Sequence, residues 1–283
     1  MIELREGSPA DRDAILALRA RCFPGDDPEK RDPRFWEWEF RGGRMFVACA
    51  DERIVAHLGF VPQTYVIRGE RVKSMLAVDA MTDPEFRGQR LFGRVAQFAA
   101  ERIDVPFSGA WQIRKAVLGG MAQGGWRPAG GARVLIRPFR STGGGEPGDV
   151  RAMAETAREF FEATDRLERT PEYLRWRYFE NPLWTYDVTM NDGAWIAARR
   201  TKLKGWDTQA IVDIAWRRGR ARDAAALLQS RATLHAALVT PDHPAFGWLI
   251  RRGFLPGPHR FRFLVRGDPR AKWALSWGDT DHL

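Results

Sequence analysis

The spacing of apolar residues changes several times along the chain, and each change marks an element. A helix is predicted near 9–22, then a Trp-rich helix from Asp32 to Phe40, which Asp32 can cap and Pro33 can open at the first helical position. Apolar runs at 44–50 and 53–61 flank Asp51-Glu52, and runs at 64–68 and 71–82 flank Arg68-Gly69-Glu70, as in hairpins. Between Leu91 and Ile103 the apolar positions Leu91, Phe92, Val95, Phe98, Ala99 and Ile103 keep helical spacing. A strand at 105–111, a short helix around 114–123 and a strand at 132–139 complete a mixed α/β unit.

The pattern then starts again. Ser141-Thr142-Gly143-Gly144-Gly145-Glu146-Pro147-Gly148-Asp149 is rich in glycine and polar residues and reads as a linker. Beyond it, Thr170-Pro171-Glu172-Tyr173-Leu174-Arg175-Trp176-Arg177-Tyr178 repeats Asp32-Pro33-Arg34-Phe35-Trp36-Glu37-Trp38-Glu39-Phe40 position for position: cap, proline, aromatics and tryptophan. Val78-Asp79 has a counterpart in Val212-Asp213, and Gly125-Trp126 in Gly253-Phe254, in the same order along the chain. An ordered repeat of this kind predicts duplication. The expected division is 1–140, a linker at 141–149, and 150–283.

Composition narrows the class. Hydrophobic residues at 44% and charged residues at 29% are ordinary for a globular protein, and no apolar run approaches the ~20 residues of a membrane span. The opening Met1 to Asp13 carries charge from its third residue and lacks the apolar stretch of a secretory signal, so a cytoplasmic protein is expected. Cys22 and Cys49 have neither CxxC spacing nor neighbouring histidines, so no metal is expected and both read as small buried hydrophobes. Most of the 12 tryptophans read as core residues or covers of half-exposed helix faces. A net charge of +9 calls for an anionic partner. Lys and Arg are spread out, with only short clusters such as Arg199-Arg200 and Arg217-Arg218, which argues against nucleic acid.

The anion has an obvious place to go. The apolar strand ending Val78-Asp79-Ala80-Met81-Thr82 stops at Asp83-Pro84, a short basic turn follows, and an amphipathic helix begins at once. The first N–H groups of a helix have no intrahelical acceptors, so with the positive end of the macrodipole they can hold a pyrophosphate. Gly88 lets backbone approach closely, and Arg87 and Arg90 add charge-assisted hydrogen bonds. An ordinary strand-to-helix turn with solvated arginines would read the same way from composition alone.

Thr82-Asp83-Pro84-Glu85-Phe86-Arg87-Gly88-Gln89 resembles the acyl-CoA loop of the GNAT N-acetyltransferases, in which a strand runs into Q/R-x-x-G-x-G/A and a helix. Arg90 stands where that family usually has glycine, and Phe92 where it has glycine or alanine. Ile2-Glu3-Leu4-Arg5-Glu6-Gly7 with Asp11, and Gly125-Trp126, match more loosely. The resemblance covers about 2–140 and, in looser form, about 170–266, and implies two tandem GNAT-like domains, each a mostly antiparallel mixed sheet flanked by helices. It further implies acetyl-CoA, or another acyl-CoA, as co-substrate. Its pantetheine arm would lie against Ala80, Met81 and Thr82, and its phosphates on Arg87, Gly88, Gln89, Arg90, Leu91, Phe92 and Gly93. The acceptor would be an amine of a small molecule, sugar or peptide. The second half would be a degenerate copy contributing to the acceptor site.

Such chemistry needs a base for the ammonium, an oxyanion donor and an acid for the thiolate. A backbone N–H near Met81 can supply the donor, and Asp79, just before the acyl site, is the candidate base. Asp213 at the matching place in the second half favours a structural role for both. Glu37 and Glu39 are alternatives, each expected on a solvated face. Many family members protonate the thiolate with a tyrosine; the corresponding residue here is Ala122. His57, His235, His243 and His259 form no ligand spacing or triad. Two other classes share these features: a non-catalytic CoA-binding or scaffold protein, and an aminoacyl transferase that uses charged tRNA.

Overall fold

The computed structural model describes residues 1–25, 28–112, 115–138, 143–228, 234–267 and 272–280. In chain order the first half contains β1 (Ile2–Glu6), α1 (Arg12–Cys22), α2 (Pro33–Glu39), β2 (Arg44–Ala50), β3 (Arg53–Ile67), β4 (Glu70–Thr82), α3 (Leu91–Ala100), β5 (Phe107–Gln112), α4 (Lys115–Gln123) and β6 (Arg127–Arg137). The rest contains β7 (Glu146–Pro147), α5 (Val150–Phe160), β8 (Asp165–Leu167), α6 (Pro171–Tyr178), β9 (Asp187–Asn191), β10 (Ala194–Leu203), β11 (Trp206–Trp216), α7 (Ala221–Leu227), β12 (Leu234–Val239), α8 (Phe246–Arg251), β13 (Leu255–Arg266) and β14 (Trp273–Ala274).

These elements form two compact units that exchange short segments: one holds residues 1–64, 72–129 and 262–270, the other 65–71, 130–261 and 271–283. The chain was expected to divide once, at 141–149; the compact units instead change over between 129 and 130, and 65–71 and 262–270 each join the unit of the other half. Of the expected linker, 141–142 lies outside the described residues, and Glu146–Pro147 forms β7, paired with β9.

In the first unit the strands run in the order β1-β2-β3-β4-β5, and the end of β13 pairs antiparallel with β5 from Arg262↔Gln112 to Arg266↔Ser108. Strands β1 to β3 are antiparallel neighbours, whereas β4 and β5, joined through α3, are parallel. Asp51-Glu52 and Arg68-Gly69 all have positive φ, the backbone of two-residue hairpin turns whose twist suits the strands they join. The runs 53–61 and 64–68, expected as separate strands, are one long β3: Pro62 is exposed within it, and Tyr65 and Val66 continue it by pairing with Leu167 and Arg166 of β8. Phe46, Phe60, Val95, Ala99 and Trp126 are buried in one core with Leu264 of β13.

In the second unit the order is β6-β12-β11-β10-β9-β7, with β11 and β12 parallel and the other neighbours antiparallel. Ile196, Ile211, Leu227, Leu249 and Phe254 form its core. Each unit is therefore a mixed sheet flanked by helices.

The matched sequence segments adopt matched structures. Asp32 caps α2 by accepting from Arg34 N at 2.8 Å, and Thr170 caps α6 by accepting from Tyr173 N at 3.1 Å, each followed by proline at the first helical position. Gly125 (φ 91°) and Gly253 (φ 83°) both end a helix in the left-handed region. There Trp126 N donates to Met121 O and Phe254 N to Leu249 O, the bond pattern that closes a helix on glycine. A further pair was not visible in the sequence pattern: α1 and α5 have 11 residues each.

Candidate functional site

The strand that carries the candidate chemistry changes its partners near its end. β4 pairs with β5 from Ser74↔Phe107 to Ala77↔Ala110, and among the described residues that pairing stops there although β4 runs on to Thr82, while Asp83 N still donates to Val55 O of β3 at 2.8 Å. Asp79 lies where the pairing stops and takes φ 50°, a left-handed conformation rare for a residue with a Cβ. The strand end is fixed by Asp83. Its buried carboxylate accepts from Arg21 Nε at 2.7 Å and Arg53 Nη2 at 2.6 Å, and from Glu85 N at 3.2 Å as cap of the 3-10 turn Pro84–Phe86. Burial works to raise its pKa, but the two arginine hydrogen bonds outweigh burial and hold it below the usual carboxylate value.

After that turn Gly88 has φ 81° and Arg90 φ 55°, and α3 starts at Leu91. The N–H groups of Leu91, Phe92 and Gly93 have no acceptor within the helix, and there is no acid in its first turn. Around this turn lies a cavity of about 530 Å³. It brings together Ala80, Met81 and Thr82 from β4 with Arg87, Gly88, Arg90, Leu91, Phe92 and Gly93. Gln89 is not on its lining. Asp79 also lies off the lining, and its carboxylate is paired with Arg19 of α1.

Several lining residues were not found from sequence. Cys22 and Phe23 come from the end of α1, and Gly119, Gly120 and Gln123 from α4. The Gly119-Gly120 doublet within a helical pattern was the available signal, because glycine inside a helix needs a packing reason. Gly120 has one: a Cβ there would run into the Phe92 ring, just as a Cβ on Gly93 would run into the Gln123 side chain. The two glycines let α3 and α4 close on each other beside the cavity. From α4 it is Gln123 that faces the cavity, while Ala122 uses its carbonyl to accept from Arg127 Nη1 at 2.8 Å. Burial pushes the Cys22 thiol up, with Arg87 acting the other way.

Of the alternative bases, Glu37 is exposed and bonded to Arg12 at 2.7 Å, as expected. Glu39 differs from expectation: it is buried, together with Phe35, Trp36 and Trp38 of the same short helix. No group of His, Cys, Asp and Glu among the described residues is arranged to hold a metal ion. No helix among them is long and apolar enough to cross a membrane. A cavity of about 540 Å³ in the second unit is met, among the described residues, by the C-terminal end of a helix, Leu227-Leu228, where carbonyls rather than N–H groups are left over.

Residues 3–109, which span this strand, turn and helix, match the acetyltransferase (GNAT) domain family. Over that stretch the chain is similar to a GNAT acetyltransferase domain. It has the fold of a GCN5-related N-acetyltransferase from Kribbella flavida at a TM-score of 0.70 and 15% identity, covering 94% of this chain and 71% of that one. A GCN5-related N-acetyltransferase from Anabaena variabilis matches at 0.69 and 14%, covering 94% and 72%. N-myristoyltransferase from Saccharomyces cerevisiae, solved with bound myristoyl-CoA, matches at 0.63 and 11%, covering 94% and 79%. No curated protein sequence matches the chain. The match over residues 3–109 supports acyl transfer in general.

Proposed function

We infer that the protein is an N-acyltransferase of the cytoplasm that takes acetyl from acetyl-CoA and passes it to an amine of a small molecule, sugar or peptide. The observation that carries this reading is the turn before α3: left-handed Gly88, unspent first-turn N–H groups, Arg87 and Arg90, all facing one cavity with the end of β4. A pyrophosphate fits such a turn, since backbone donors and the helix dipole meet its charge without moving. The pantetheine arm would run along Ala80, Met81 and Thr82, where β4 has no β5 neighbour among the described residues to satisfy its backbone. Gln89, off the cavity lining, would serve through its backbone.

The amine nitrogen attacks the thioester carbonyl, a C–N bond forms, the C–S bond breaks, and the ammonium proton leaves. A backbone N–H near Met81 would meet the oxyanion. Ala122 has no acid to give, so the thiolate takes its proton from solvent. Asp79, paired with Arg19 and off the cavity lining, supports the strand in this reading and leaves proton acceptance to water.

The two units are read as copies of one GNAT-like domain, the second degenerate, with one donor bound per chain. Thermal unfolding with acetyl-CoA tests the donor. At 100 times its dissociation constant the ligand should add about 2.7 kcal/mol of stability. Release of free CoA thiol in the presence of a panel of amines then tests turnover. No stabilisation by acetyl-CoA would overturn the reading, and binding without thiol release on any amine would leave a CoA-binding protein.

A further inference from the structure

We propose that His57 is a positioning residue for the acyl end of the donor: with Arg19 it holds the left-handed turn at Asp79 and so sets the course of Ala80, Met81 and Thr82 along the cavity. The inference rests on the donor site described above.

Asp79 is the only residue within β4 at positive φ, and a non-glycine residue there is strained unless its surroundings impose it. It is held from two elements. Arg19 of α1 takes the carboxylate, and His57 of β3 takes the carbonyl, with Nδ1 at 2.8 Å from Asp79 O. A carbonyl can only accept, so Nδ1 carries the proton and Nε2 is the bare nitrogen. Nε2 is buried and has no hydrogen-bond partner among the described residues. The site tolerates that unsatisfied atom in return for the bond on the other side of the ring.

The ring has little freedom to turn. The Phe40 ring stands edge-on to it at 5.8 Å between centroids, and a Cβ on Gly59 would strike Phe40 and come within 3.2 Å of His57 Cε1. Burial lowers the His57 pKa, Asp79 acts to raise it, and Arg19 lowers it further, so the imidazole stays neutral and keeps one donor. The second unit lacks this device: Asp213, the counterpart of Asp79, keeps a negative φ within β11 and is held by Arg169 and Tyr178.

The test separates the two ends of the donor. Calorimetry would compare acetyl-CoA with adenosine 3′,5′-bisphosphate, which has the phosphate end without the pantetheine arm, on wild type, His57→Leu and His57→Asn. Asparagine keeps an N–H where Nδ1 stood. His57→Leu should weaken acetyl-CoA about tenfold or more and leave the bisphosphate within about twofold, and His57→Asn should recover acetyl-CoA binding to within about threefold of wild type. Unchanged acetyl-CoA binding in His57→Leu, equal loss of both ligands, or no recovery in His57→Asn would each overturn the proposal. Should His57→Leu fail to fold, two-bond proton–nitrogen correlation spectra of the wild-type imidazole decide: a proton on Nε2 rather than Nδ1 overturns it. Wild type that binds neither ligand would instead remove the donor site, and the proposal with it.

Discussion

Two turns in this molecule join a strand to a helix through a left-handed glycine among arginines. Gly88 has φ 81° before α3, and Gly219 has φ 77° before α7, and neither has an atom near the place a Cβ would occupy. What differs is whether the donors are already taken. Before α7, Arg217 N donates to Gly193 O at 2.8 Å, Arg218 N to Glu159 Oε1 at 2.7 Å, and the Arg220 side chain is bonded to Asp223 in the first helical turn. Gly193 is pressed so close to Asp223 that a Cβ would strike its carboxylate. The α3 turn has no acid in its first turn, and its acids, Asp83 and Glu85, are held back by Arg53. The turn before α7 thus has an arginine N–H and an arginine side chain already on carboxylates, whereas α3 has no acid in its first turn to occupy its N–H groups.

The largest expected effect is at the two glycines. Gly88→Val cannot keep φ 81° without strain and should reduce acetyl-CoA affinity on the order of thirtyfold, while Gly219→Val leaves it unchanged. Calorimetry on both folded variants checks this, and equal losses would erase the distinction. Titration of wild type should accordingly give about one acetyl-CoA per chain, as a single helix-terminal site requires.

A smaller effect is expected at Arg90, which lines the cavity from the position before α3. Arg90→Gly should weaken acetyl-CoA about tenfold, with the loss shrinking in high salt, because a phosphate contact by arginine is charge-assisted. Tighter binding would make Arg90 an obstruction. Gly120→Ala pushes a methyl group into Phe92 and should cost about 1–3 kcal/mol, read as a lower Tm.

The smallest effect is acid dependence. Asp83 has its pKa depressed in the folded protein, so its contribution is complete above the unfolded value of about 3.9 and is lost as pH falls through the folded value. Asp11 behaves the same way, held down to about 2 chiefly by its hydrogen bonds from Arg5. The Tm difference between wild type and Asp83→Asn should therefore be steady at neutral pH and narrow below about pH 4. A gap that widens in acid would mean the arginines do not depend on that charge.

Much of this was legible from residue order alone. Local rules decide caps, hairpin turns and helix-closing glycines, so Asp32, Asp51-Glu52, Thr170 and Gly125 announced their elements. The phosphate-type turn was legible for the same reason: strand end, glycine and helix start are consecutive in the chain. Other features depend on partners far along the chain. The burial of Glu39 depends on which way α2 rolls against its neighbours. The entry of Cys22, Gly120 and Gln123 into the cavity depends on how closely α1 and α4 approach β4 and α3. The bond from His57 to Asp79 joins strands whose register no single segment encodes. The runs 53–61 and 64–68, expected apart, form one strand because Tyr65 and Val66 pair with β8 about a hundred residues on. Sequence by itself determined the caps, most helices and the hairpin turns, and marked the turn before α3 as the candidate anion site, because those rest on near-neighbour sterics and unpaired backbone groups. Only the tertiary structure decided which donors remain unspent, because a carboxylate that consumes them can arrive from any distance along the chain.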